Sequence, residues 1–543
     1  MNDISNKINK AFFIIFLFVI SIKKISSFNP RCGAGKFKVK KKPGILNVTT
    51  DNSKRNLATE WTNIKIKVDY TSFKKPNNMD QTAFNKIKDL IDETTKEFSK
   101  FIKIQHTNIG IYKNLLLTEC EIDSVDPNYG NFLFDNDLVI FPSFELTLDE
   151  STLAAARYCL VSSLDSRPCA GNLYLNGSLS FDKENTDLYI KHILLHEITH
   201  ILAFHPYLLS KLSMLDFDEE KYEIYINSPK VLEKARKHFN CNSLERLLLE
   251  NQGGDGTLGF HWEERYMNGD YMVGSIHMDH VISDITLALF EDTGFYKVDY
   301  NAAELFRFGK NKGCNFFNKN CIENGEVLFE NEFCMNGGEP KCTQSRISRG
   351  ECVLHDYSIY NISIPEKYQY FGNSYTGGYP YTEFCPISEM DEDILLDYYP
   401  DNYLPLSCNV GISYLPSEYG EKIGSNSFCF VSSLLPSSSN YHLEEKAICY
   451  EIKCDYNNKK IIIYLRNSTF SCPENGGVIS VNGFKGEIIC PKFSDICSFK
   501  QNDICNELFD CIHNRFNNNN KGKYIKFNYY MNLILFALYY FLS

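Results

Sequence analysis

The sequence predicts an α+β unit of catalytic size followed by a disulfide-rich C-terminal module. Three observations carry this expectation. Between Trp61 and Phe204, alternating strand-like segments interleave with long helical ones. One of those helices contains "LLHEITHILAFH" (Leu194–His205), which is apolar except for a few polar residues that include a His-Glu-x-x-His. Most of the 20 cysteines crowd the chain from Cys314 onward. At 543 residues there is room for two or three domains and a sizeable core.

In chain order, "TNIKIKVDY" alternates apolar and polar residues and predicts a strand. "TAFNKIKDLIDETTKEFSKFIKI" places apolar residues at helical spacing. "NDLVIFPS" reads as a buried strand, and "AGNLYLNGSLSF" alternates again, as an edge strand ahead of the next helix would. That helix, "TDLYIKHILLHEITHILAF", takes its N-cap from Thr186 or Asp187. The expected division is a signal peptide at 1–27, a short propeptide at 28–57 and an N-terminal catalytic subdomain at 58–205. A second catalytic subdomain follows at 206–312, a cysteine-rich domain at 313–515 and a hydrophobic tail signal at 516–543.

The two ends carry the addresses. Lys7 and Lys10 precede "AFFIIFLFVIS", and Ser26 and Ser27 offer a cleavage point, the pattern of a secretory signal. The alternative, a membrane anchor, asks for a longer run. At the other end "NNNNKGKYIKF" leads into the apolar "YYMNLILFALYYFLS", the layout of a GPI-attachment signal with Asn519 or Asn520 as the attachment residue. A short tail anchor is the alternative there. Cysteine density agrees with export, and without paired Cys-x-x-Cys knuckles it points to disulfides rather than structural zinc. Sequons at Asn47, Asn176, Asn361 and Asn467 are candidate glycosylation sites. A net charge of −12 argues against a nucleic-acid partner.

The chemistry sits in the helix. Residues four apart share a helical face, so His196 and His200 can aim at one cation, with Glu197 a step round the helix near a metal-bound water. Burying two imidazoles and a carboxylate among Ile193, Leu194, Leu195, Ile198, Ile201 and Leu202 is costly unless they have partners. A metal supplies one, and a satisfied set of core polar groups is the alternative. A catalytic zinc needs a third protein ligand. In the compact version of such sites a Gly and a His stand three and six places after the second His, but here Ala203 and Pro206 occupy them. His205 is one position off. Further along, "GFHWEERYMNGDYMVGS" presents His261 on a loop, and Met272 lies eleven residues later between Gly269 and Gly274.

With these motifs the chain resembles the leishmanolysin family, zinc metallopeptidases of the metzincin kind found on protozoan surfaces. That family places an insertion of some sixty residues between its second and third zinc histidines and a methionine turn just beyond. "ITLALFEDTGFYKVDYNAAELFRFGKNKGCNFFNKNC" and "GGVISVNGFKGEIICPKFSDIC" extend the likeness, so that it runs from about Trp61 to Cys511. The resemblance implies a metzincin-like fold: a twisted sheet, an active-site helix below it and a cleft in front. It implies one zinc ion held by His196, His200 and His261, Glu197 as general base, and Met272 as the turn methionine. It also implies that "AGNLYLN" is the strand pairing with an extended substrate.

Two departures stand out. Ala203 replaces the family's glycine where the chain turns at the helix end, which requires negative φ or strain. The prosegment is short, and its one cysteine, Cys32 in "NPRCGAG", resembles the latency switch of matrixins, with a plain disulfide as the alternative. The expectation is therefore a secreted, membrane-anchored zinc endopeptidase acting on extracellular proteins and peptides. The alternative is a cell-surface adhesion protein that keeps the fold without cutting.

Overall fold

A computed structural model describes residues 31–32, 44–46 and most of 60–497, leaving out 107–112, 128–135, 146–151, 164, 178–186, 253–256, 276–278, 391–406, 410–412 and 414. The expected signal peptide, the tail with Asn519 and Asn520, Asn47 and the Cys32 side chain lie outside the described residues. Among the described residues no helix is long and apolar enough to cross a membrane.

The first compact unit comprises 1–345 and 350–403. The strands of its largest sheet are β1 (Arg31–Cys32), β2 (Gly44–Leu46), β3 (Ile66–Val68), β4 (Leu138–Glu145), β5 (Thr152–Ser162) and β6 (Pro168–Asn176). They form one sheet in the order β1-β5-β6-β4-β3, with β2 also on β5. β3 runs parallel to β4 and β4 parallel to β6, while β5 is antiparallel to β6, with Ala156 opposite Leu173. Helix α1 (Gln81–Phe101) starts where the Asp80 side chain accepts from Ala83 N, and it buries Phe84, Ile87, Leu90, Ile91 and Phe98. It packs against α2 (Asp187–Leu202), and a Lys191–Glu93 ion pair of 2.6 Å links them. α1 is shorter than its sequence pattern suggests. The closing Ile102–Gln105 alternates buried and exposed residues and forms a strand instead.

Three expectations are corrected. "AGNLYLN" belongs to β6, which lies between β4 and β5 and has no free edge. The outer side of β6 is covered by β5, the unalternating "TLAAARYCLVS", whose own outer side is lined, among the described residues, by the short β1 and β2. The faces of β5 are both buried, one cluster taking Ala154 and Ala156, another Cys159 and Leu160. β1 and β2 run parallel along its outer side, Cys32 opposite Ala154 and Ile45 opposite Val161.

Second, the boundary at 313 falls too early. Phe316, Ile322, Phe333 and Ile387 pack into the core shared with α2, and Cys241–Cys314 and Cys321–Cys385 staple that stretch. Among the described residues the unit continues to Met390. Third, Asn176 is 1% exposed, and its Nδ2 donates to Thr152 O at 2.7 Å. The atom a glycan would occupy is already committed inside the sheet. Asn361 and Asn467 are exposed.

The second unit, 346–349 with 404–543, is built on an antiparallel sheet of β7 (Ser427–Ser432), β8 (Lys446–Asp455), β9 (Lys460–Leu465), β10 (Ser468–Cys472), β11 (Gly477–Ser480) and β12 (Glu487–Cys490), ordered β10-β9-β8-β7-β12-β11. Cys408–Cys449, Cys454–Cys497 and Cys472–Cys490 staple it. Cys120–Cys159 and Cys334–Cys352 lie in the first unit, and Cys169 is free and buried.

Candidate metal centre

From Ile193 to Leu202 α2 is buried on every side, so His196, Glu197, Thr199 and His200 are shielded from solvent. Gly171 on β6 lets it come close: a Cβ there would stand 2.5 Å from Ile201 Cγ2. His196 and His200 leave the helix on one face, and His261 arrives from the loop beyond Thr257. The Nε2 atoms converge, His196 to His261 at 3.1 Å and His200 to His196 at 3.0 Å. All three side chains are buried.

The outward nitrogens decide what those Nε2 atoms are. His196 Nδ1 meets Tyr271 O at 2.6 Å, His200 Nδ1 meets Phe204 O at 2.7 Å, and His261 Nδ1 meets Thr257 O at 3.0 Å. A carbonyl only accepts, so each Nδ1 carries the proton and each neutral ring turns a bare Nε2 inward. Burial holds His196 down to about 4 and holds His200 and His261 well below the ordinary imidazole value, aided by their mutual repulsion. At neutral pH none carries a second proton. Three lone pairs about 3 Å apart cannot hydrogen-bond to one another. Such a donor set fits a divalent cation, whose tetrahedral coordination at about 2.0–2.1 Å calls for a similar nitrogen spacing.

Glu197, next to His196 on α2, is also fully buried. Met272 is buried, its carbonyl accepting from Trp262 N at 3.0 Å. The turn around it is locked from behind. Asp270 accepts from Met272 N at 2.8 Å and from Thr286 Oγ1, which in turn accepts from Trp262 Nε1 at 2.7 Å. The same turn supplies the Tyr271 carbonyl under His196, and Tyr271 OH lies 3.0 Å from Thr199 Oγ1 on α2. Gly274 is required by space, since a Cβ would meet Thr257 Cγ2 at 2.7 Å beside the His261 ring.

Ala203 turns the chain without strain. Its φ is not positive, and Thr199 O accepts from both Ala203 N and Phe204 N. His205 does not join the three histidines. Its side chain accepts from Tyr207 N as the N-cap of α3 (Pro206–Lys211), and its ring packs edge-on against Tyr158 and Phe260. Sequence reasoning misses the carbonyls of Phe204, Thr257 and Tyr271, and the Asp270 network, because backbone acceptors leave no residue signature.

Buried neutral histidines make the fold acid-sensitive. His205 and His238 are each held to about 4 by burial, so the unfolded chain binds their protons more readily between pH 6.5 and 4. Their contribution is complete above pH 6.5 and is lost as pH falls towards 4. Asp270, pushed up to about 6 by burial, acts oppositely, and its benefit fades as pH rises towards 6. Glu250, Glu263 and Asp284, raised by burial, act in the direction of Asp270. His196, His200 and His261 add to His205 and His238, so the melting temperature of metal-free protein is expected to fall as pH drops below 6.5. A flat profile from pH 7 to about 4.5 would contradict the burial of these rings.

A HExxH helix, a third histidine from a distant loop and a methionine turn whose Tyr271 carbonyl meets His196 form a candidate metal site in a metzincin-like unit. The leishmanolysin family model matches residues 115–503, and the chain belongs to the leishmanolysin family. It is similar to a leishmanolysin homolog of Crithidia fasciculata, 30% identical over 48% of this chain and 40% of the relative. It is also similar to the leishmanolysin of Leishmania tropica, 26% identical over 64% and 53%. A leishmanolysin-like peptidase of Drosophila pseudoobscura pseudoobscura is 26% identical over 72% and 68%. The chain spans about half the length of the first two relatives.

Proposed function

We propose that this protein is a zinc-dependent endopeptidase of extracellular proteins and peptides. The observation that carries the proposal is the set of three inward, unprotonated Nε2 atoms beside a buried glutamate. His196, His200 and His261 would hold one zinc ion. When bound, zinc supplies Lewis-acid polarisation and lowers the pKa of a water towards neutrality. Glu197 would serve as the general base towards an attacking water and hand the proton on to the departing amine. The rings of Phe204 and Phe260 flank His200 at 6.3 and 6.4 Å and add apolar surface beside the site. Cleavage of casein by the purified chain, with and without a chelator, tests this reading, and an unaffected rate on chelation would reject it.

Latency follows from the outer side of β5. An extended substrate pairing with β5 needs the edge that β1 and β2 now line. Cys32 lies in β1 and is the candidate switch thiol. Truncation before Asn56 is expected to raise activity strongly, and Cys32→Ser to raise it only if the thiol contributes beyond strand pairing. Equal activity of full-length and truncated chains would discard the latency proposal altogether.

Anchoring at Asn519 or Asn520 places the enzyme at the cell surface, with Asn47, Asn361 and Asn467 as the remaining candidate glycan sites. Release from intact cells by a phosphatidylinositol-specific phospholipase is the expected result, whereas retention favours a tail anchor. The adhesion alternative draws its support from Ala203, and the unstrained backbone at that residue removes the argument.

A further inference from the structure

One buried relay of three side chains, Trp262, Thr286 and Asp270, runs behind the three histidines, and each of its members is fully buried. Thr286 stands in the first turn of α4 (Asp284–Asp292), where its N donates to the N-cap Ser283 Oγ at 3.1 Å. An indole nitrogen can only donate, so Trp262 Nε1 donates to Thr286 Oγ1 at 2.7 Å. The hydroxyl has one proton of its own, and it points to Asp270, with Oδ2 at 2.8 Å and Oδ1 at 3.0 Å. Asp270 Oδ1 also accepts from Met272 N at 2.8 Å. The relay therefore has one direction, from indole to hydroxyl to carboxylate.

Its two ends reach the surroundings of every histidine. Asp270 precedes Tyr271, whose carbonyl meets His196 Nδ1 at 2.6 Å. Trp262 directly follows His261, and its backbone N donates to Met272 O at 3.0 Å. The indole packs edge-on against Phe204 with ring centroids 4.9 Å apart, and Phe204 O meets His200 Nδ1 at 2.7 Å. We propose that Thr286 is a positioning residue of the metal centre, its hydroxyl tying Trp262 to Asp270 and so holding all three imidazoles in one geometry. The proposal rests on reading His196, His200 and His261 as zinc ligands. Without the hydroxyl, the indole N–H has no acceptor in a dry interior and Asp270 loses a donor. Both groups then shift to find partners, and they carry the Tyr271 carbonyl and the His261 backbone with them. Metal affinity depends on such outer partners because they set ring orientation and basicity.

The test compares Thr286→Val, which removes the hydroxyl at nearly constant shape, with Thr286→Ser, which keeps it. Zinc affinity of the full chain is measured by competition with a chromophoric chelator. The visible absorption of the cobalt(II)-substituted protein and the melting temperature of the metal-free protein are recorded beside it. Thr286→Val is expected to bind zinc about 10–100-fold more weakly than the wild type and to shift the cobalt bands. Thr286→Ser should restore both. Wild-type affinity and an unshifted cobalt spectrum in Thr286→Val would overturn the proposal, even with a lower melting temperature, because the hydroxyl would then serve the fold alone. Failure of Thr286→Ser to restore binding would overturn it as well. A wild type that takes up no zinc would instead reject the ligand reading, and the relay's role with it. Should Thr286→Val fail to fold, Trp262→Phe deletes the indole donor and keeps a ring against Phe204. The same weakening is expected there, and undiminished zinc affinity would overturn the proposal.

Discussion

Glu197→Ala is expected to lower casein cleavage by roughly 10³-fold or more while the protein still carries one zinc ion per chain. The two halves of this result come from different atoms. Metal affinity resides in three imidazoles whose outer nitrogens are tied to Tyr271 O, Phe204 O and Thr257 O, and none of those ties involves residue 197. Proton transfer needs a carboxylate one step round the same helix. Removing it leaves the ion and the cleft intact and deletes the base. Glu197→Gln, which keeps the shape and not the basicity, should be nearly as inactive. If the alanine variant cleaved casein at the wild-type rate, another group would be the base. If it lost its metal, Glu197 would be holding the centre rather than working in it.

The second large effect is expected at His261. His261→Ala removes one of three nitrogen donors and should weaken zinc binding by at least about 100-fold, beyond what loss of an outer hydrogen-bond partner costs. His205→Ala is the matched control. It deletes an imidazole only a few residues along the chain from His200, yet one that is engaged with Tyr207 N, Tyr158 and Phe260 rather than with the other rings. Zinc content should stay at one per chain, with a modest loss of melting temperature from the missing ring contacts. Zinc content measured on both dialysed variants decides the matter, and retention by His261→Ala together with loss by His205→Ala would reverse the assignment of the third ligand.

The candidate centre was legible in the sequence because its chemistry is written in side chains at fixed spacing. Two histidines four apart on an apolar run need a common polar partner, and the sixty-one-residue gap to His261 matched a known pattern. What fixes their orientation is backbone carbonyl, which every residue possesses. The sheet was harder to read. β6 alternates as an exposed edge would, yet β4 and β5 cover both its sides, while β5 itself looks like an interior strand because two clusters bury its faces. Alternation reports on faces and is silent about edges. The early boundary at 313 arose from cysteine density, yet one of those cysteines, Cys314, ties the stretch back to Cys241 rather than away from it. Asn176 shows the same limit, since a sequon names an atom without saying whether a neighbouring carbonyl already holds it.

The most direct test of the proposed site is X-ray absorption at the zinc edge of the purified wild-type protein. One zinc per chain is expected, with three imidazole nitrogens at about 2.0–2.1 Å and one oxygen from solvent. A metal-free protein after loading, a sulfur in the shell of the propeptide-free chain, or only two imidazoles would contradict the arrangement on which the proposed activity depends.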